Sequence, residues 1–177
     1  MPYIPQEIYI SKETWNEAKR LVKNGIIKKL SAAKQNIDSD TEIAAGIYIY
    51  ALEEFGKLLL LKECQTDINE KYIIKYRDGF LSHKFKFCKA FDYLYKHNSS
   101  EYTLLNKGSF SSVSFTSESF TMDLLAQTQA RLGIFHVDFE SKNEDIKYDI
   151  MKIPNVNNDI LNEAIYELNR VINTIEL

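Results

Sequence analysis

Residues Ile43 to Leu61 form a 19-residue run that is apolar almost all round a helix, broken by Glu53, Glu54 and Lys57. A helix of this kind has no polar face to offer water, so other elements must wrap it. Its charges also argue against a membrane span, because ionised groups are costly in the hydrocarbon core. The segment is therefore expected to be the central helix of a soluble, cytoplasmic protein.

The flanking sequence supplies the wrapping. Ser11 reads as an N-cap, followed by an apolar stripe of Trp15, Ala18, Leu21, Val22, Ile26 and Leu30, with Gly25 a weak point. Ser39-Asp40-Thr41-Glu42 has the form of a capping box that opens the apolar helix. A turn at Arg77-Asp78-Gly79 precedes a third helix carrying Phe87, Phe91 and Leu94 at helical spacing. Ser117 or Ser119 opens a fourth, and Asn158 or Asp159 opens a fifth with the stripe Ile160, Ala164, Leu168, Val171 and Ile175. The expected architecture is all-α: one domain over residues 1–177, a bundle of about five helices near 11–36, 39–64, 79–96, 117–135 and 158–176. Eight of the 22 residues from Asn98 to Ser119 are serine, which marks a loop insertion, and a short extended piece is expected within Ile146 to Ile153.

Composition adds exclusions. Cys64 and Cys88 are too few for a disulfide scaffold and are expected as buried reduced thiols. Met1 to Ile10 contains Pro2 and Pro5 and lacks a basic segment followed by an apolar run, so no targeting segment is expected there. The net charge of −3 gives no global attraction for polyanions. Locally the balance differs. Lys71 to His97 holds seven Lys or Arg against two Asp, interleaved with eight aromatic residues. Such a segment either grips single-stranded nucleic acid, with Lys84, Lys86 and Lys89 as phosphate contacts, or forms an amphipathic helix whose lysines are simply solvated.

Three groups of residues are able to carry chemistry. In Glu53-Glu54-Phe55-Gly56-Lys57, Glu53 and Lys57 are four apart and able to pair, and Gly56 permits close approach by another chain segment. One lysine cannot satisfy both carboxylates in a single geometry, so at least one needs a partner on another helix. His83 and Lys86 are three apart and share a helix face. Arg131 and His136, followed by Asp138, form an Arg-x4-His pair able to cleave RNA without metal. The histidine would serve acid–base transfer at the ribose 2′-hydroxyl and the arginine would stabilise phosphate charge, leaving a 2′,3′-cyclic phosphate. Five residues of continuous helix set the two about 140° apart. The helix must therefore end or distort near Gly133, or a second subunit must complete the site. No Glu-x-x-His pair, His-Glu-x-x-His, Cys-x-x-Cys or Gly-rich phosphate loop is present, so neither a metal nor another cofactor is expected. Glu53, Glu54 and His83 around a metal is the one arrangement that would change this.

In this order, Ala51-Leu-Glu53-Glu54-Phe-Gly56-Lys57, then Ser82-His83-Lys84-Phe85-Lys86, then Arg131 through Val137-Asp138-Phe139, the chain resembles the AbiV-type abortive-infection family over roughly residues 14–140. Phe135-His136 stands where a tyrosine often precedes Val-Asp in that family. The resemblance implies a phage-resistance protein that blocks translation in infected cells, and kinship with the HEPN helical bundles, many of them dimeric, metal-independent endoribonucleases. It implies catalytic roles for Arg131, His136, Glu53, Glu54, Lys57 and His83, with Asp138 in support. It further implies RNA of the translation apparatus as target, a homodimer, and a phage-encoded activator. The other reading is a non-catalytic helical protein that senses or inhibits a phage or ribosomal partner.

Overall fold

In the computed structural model, which describes residues 4–97, 139–141, 148–150 and 158–177, Ser11 opens the first helix. Its side chain accepts a hydrogen bond from the Thr14 amide at 3.1 Å, satisfying one of the donors that a helix start leaves open. Helix α1 (Lys12–Asn36) continues through Gly25 without a break. Its buried stripe is not quite the expected one. Leu21 is exposed, whereas Lys19 is buried together with Ile26, Leu30 and Ala33. Steps of three and four from Trp15 lead to position 19, so geometry places the lysine where its chemistry argues against it.

Helix α2 (Thr41–Lys62) starts from Asp40, whose carboxylate accepts from the Ile43 amide at 3.0 Å. The cap is thus Asp40, not the Ser39 of the expected capping box. Ser39 instead donates to the Asn36 carbonyl in the preceding turn. Helix α2 is buried over most of its surface: Ala44, Ile49, Leu52, Phe55, Leu58 and Leu61 have at most 2% of their surface exposed, and a stripe through Ile47, Tyr50, Glu54 and Lys57 is half-buried. Burying each of the larger side chains contributes roughly 1.5–3 kcal/mol, which makes this helix the core of the fold. Helix α1 packs along it, and α3 (His83–His97) and α4 (Asn158–Thr174) cover further flanks. Helix α4 brings Leu161, Ala164, Ile165, Leu168, Val171 and Ile172 to the same core.

The all-α expectation needs one correction. The described residues are mostly helical but include a small antiparallel sheet of order β1–β3–β2, formed by β1 (Glu7–Ile10), β2 (Gln65–Thr66) and β3 (Tyr72–Lys75). Ile8 faces Ile74 across the β1–β3 pair. The partners lie some 60 residues apart and each strand has at most four residues, too short for alternation to declare itself. The sheet is fastened to the bundle through Trp15, whose ring stacks on Tyr72 at 4.0 Å and whose indole N–H donates to the Leu61 carbonyl at 2.6 Å. Within the expected extended piece, β5 (Tyr148–Ile150) pairs with β4 (Phe139–Ser141).

The third helix begins later than expected. Residues Tyr76–Phe80 form a π-helical turn, closed by the Leu81 amide donating to the Tyr76 carbonyl at 2.8 Å. Ser82 then caps α3 by accepting from the Phe85 amide at 3.2 Å. Cys64 and Cys88 are half-buried rather than buried and form no disulfide. The expected helix at 117–135 and the whole of the Ser-rich segment lie outside the described residues. Among the described residues no helix is long and apolar enough to cross a membrane.

Candidate functional site

Glycine 56 sets the site. A methyl group there would lie 2.0 Å from the Lys86 carbonyl oxygen, so α2 and α3 touch backbone to backbone at this point. Any other side chain would hold the helices apart. The close approach carries Lys86, almost wholly buried, alongside Glu53, one turn before the glycine.

Glu53 Oε1 is the hub. It accepts a hydrogen bond from Lys86 Nζ at 2.6 Å and one from His83 Nδ1 at 2.8 Å. The Glu53 and Lys86 side chains are 6% and 4% exposed, while His83 is 48% exposed. One carboxylate therefore joins a buried ammonium to a histidine on the molecular surface. Burial works against the charged form of Glu53, but Lys86 and then His83 outweigh it, and the carboxyl is held below its ordinary pKa. A carboxylate accepts only, so Nδ1 carries a proton and Nε2 is the basic nitrogen of the neutral ring.

Glu54 turns to a different side. Its Oε1 accepts from Lys57 Nζ at 2.6 Å in a half-buried pair. Lys57 thus pairs three residues back with Glu54, not four back with Glu53, because Lys86 already neutralises Glu53. The Lys57 ammonium also lies 5.8 Å from the Phe80 ring centroid, and Phe80 stacks on Tyr76 at 6.2 Å. Sequence reading did not single out this aromatic pair; its signal was the Arg77-Asp78-Gly79 turn, which lies between the two rings.

The structure thus brings together Glu53, Glu54, Lys57, His83 and Lys86 from two helices. Lys86 departs from its expected role as a phosphate contact, since its ammonium is held inside the bundle by Glu53. Lys89 pairs with Glu63 at the far end of α2 and is part-exposed. Arg131, His136 and Asp138 lie outside the described residues, and so does the side chain of Lys84. Among the described residues no group of three or more His, Cys, Asp or Glu side chains converges as a metal set. Glu53 and Glu54 instead take separate cationic partners.

Comparison with known protein families, curated proteins and solved structures finds no match to this chain.

Proposed function

We propose that this chain is an abortive-infection protein of the AbiV kind, a cytoplasmic homodimer with a HEPN-like helical bundle that cleaves RNA of the translation apparatus without a metal. The observation that supports the reading is the Glu53 hub, because two segments of the resemblance meet on one carboxylate. Lys86 fixes that carboxylate and the carboxylate orients His83, a half-exposed imidazole with its basic nitrogen set for proton transfer. His83 takes or returns a proton at the ribose 2′-hydroxyl. Arg131 and His136 stabilise phosphate charge and serve the leaving group, with Asp138 in support. Glu54 and Lys57 brace the same stretch of α2, and Lys84 and Lys89 provide the phosphate contacts.

The experiment is incubation of purified protein with end-labelled RNA in EDTA, beside His83→Ala and Arg131→Ala/His136→Ala variants. Cleavage by wild type alone, leaving cyclic phosphate ends, is the expected result. Cleavage unchanged in both variants would remove these residues from the mechanism.

A second reading, a non-catalytic protein that captures a phage or ribosomal partner, is favoured by the charge pairing. Lys57 and Lys86 are both neutralised by neighbouring carboxylates, so the cluster offers little positive field to RNA. Co-purification of a stoichiometric protein partner, with no cleavage under any condition, would select it.

A further inference from the structure

We propose that Tyr76 and Phe80 form a base-stacking subsite for single-stranded RNA beside His83; this rests on the reading of the chain as an RNA-directed protein and names the form of RNA it takes. The two rings belong to the π-helical turn that ends three residues before His83. Turns with this i to i+5 bond are rare and are frequent at functional sites. Here the wider turn brings the rings of Tyr76 and Phe80 to 6.2 Å and within 18° of parallel. Both residues are part-exposed, and the stack stands at the surface instead of disappearing into the core.

The surroundings are those of a nucleic-acid contact. Lys57 Nζ lies over the Phe80 ring at 5.8 Å and binds Glu54, the neighbour of the carboxylate that orients His83. The aromatic pair and the imidazole are thus each tied to α2 through adjacent residues, Phe80 by way of Lys57 and Glu54 and His83 by way of Glu53. Lys75 and Arg77 adjoin Tyr76 in the sequence and are exposed, with the Arg77 guanidinium donating to the Ile4 carbonyl at 2.8 Å. Glu54, bound to Lys57, is neutralised by it. Aromatic rings with adjacent cations hold an unstacked base and its backbone. A duplex hides the faces of its bases within its own stack and offers nothing to such rings. The predicted ligand is a single-stranded segment, one base extending the Tyr76–Phe80 stack and the following ribose close to His83.

The test is fluorescence anisotropy of the full chain with a labelled single-stranded RNA dodecamer and with the same strand annealed to its complement. Tyr76→Leu and Phe80→Leu remove the π face, and Tyr76→Phe and Phe80→Tyr keep it; thermal melts identify any variant that has lost its fold. The expected result is single-strand binding weakened roughly 10-fold or more by leucine, retained by the aromatic exchanges, and stronger than duplex binding. Equal binding by the leucine variants, or duplex bound as tightly as single strand, would overturn the subsite. Cleavage is read separately. Ring-dependent binding without cleavage leaves the subsite standing and removes the nuclease, whereas cleavage with ring-independent binding does the reverse. A wild type that neither binds nor cleaves removes both.

Discussion

The carbonyl oxygen of Lys86 occupies the space where Gly56 would carry a side chain, 2.0 Å from an ideal Cβ position. This backbone contact sets the spacing of α2 and α3 and lets a lysine from one helix meet a glutamate on the other inside the bundle.

Gly56→Ala is therefore expected to be among the most damaging single-methyl additions to this chain. The obstructing atom is backbone and cannot swing aside, so the helices must separate, at a cost of about 3 kcal/mol. Gly25→Ala is the control. Its new methyl would meet Lys29 Nζ at 3.7 Å, an ordinary contact, and alanine is the better helix former by ~1 kcal/mol. Urea midpoints of the two variants should move in opposite directions. A Gly56→Ala protein as stable as wild type would contradict the close approach.

Removing one member of the buried pair leaves the other charged and without its partner. Glu53→Gln and Lys86→Met are each expected to cost about 3 kcal/mol, with the double variant well short of the sum. His83→Ala should cost less than about 1 kcal/mol, because the imidazole is half in water. Equilibrium unfolding of the four variants decides. Additive single effects would mean that the pair is not an energetic unit.

The lowered pKa of Glu53 has a definite pH signature. The folded protein binds this proton less readily than the unfolded chain, so the stabilisation is complete above the ordinary value of 4.5. It is lost as the pH falls from there through the lower folded value. Midpoints measured from neutral to acid pH should fall more steeply for wild type than for Glu53→Gln. Parallel curves would assign the acid sensitivity to other carboxylates.

Lys19 is 3% exposed, and its ammonium sits 3.2 Å from the centroid of the Trp15 ring. Burial, and then the Lys62 ammonium, lowers its pKa. The charged amine is thus carried at a cost below its folded pKa, and stability rises with pH from that value towards the ordinary 10.5. Lys19→Met keeps the length of the side chain and removes the charge. Its Tm should equal or exceed that of wild type by ~2–4 °C near neutral pH, with the difference shrinking in alkali. A Tm well below wild type would show that the contact with Trp15 outweighs the cost of burial.

Much of the helical framework was legible because local rules decide it. Ser11 caps α1 as its position predicts, and the run from Ile43 onwards had to become a wrapped helix. Ala164, Leu168, Val171 and Ile175 were legible for the same reason, since apolar residues at steps of three and four have one face to bury. Leu161, Ile165 and Ile172 widen the stripe beyond the expected one, and the side chain of Ile160 lies outside the described residues. The site was partly legible. A partner for Glu53 on another helix followed from the cost of a lone buried charge, and His83 and Lys86 were known to share a face.

Long-range geometry lay beyond that reading. Strands β1 and β3 pair across more than 60 residues, and neither four-residue segment carries enough alternation to announce itself. Lys19 shows the same limit from the other side, since composition marks lysine as solvated while helical phase delivers it to a covered position against Trp15.

The order of apolar and polar residues along the chain was enough to establish a helical protein built around Ile43 to Leu61, because helix periodicity and the cost of exposing an apolar surface act within one segment. Which lysine meets which glutamate depended on the distance between α2 and α3. Nothing local sets that distance except the absent side chain of Gly56, and its consequence becomes visible only when the Lys86 backbone is placed against it.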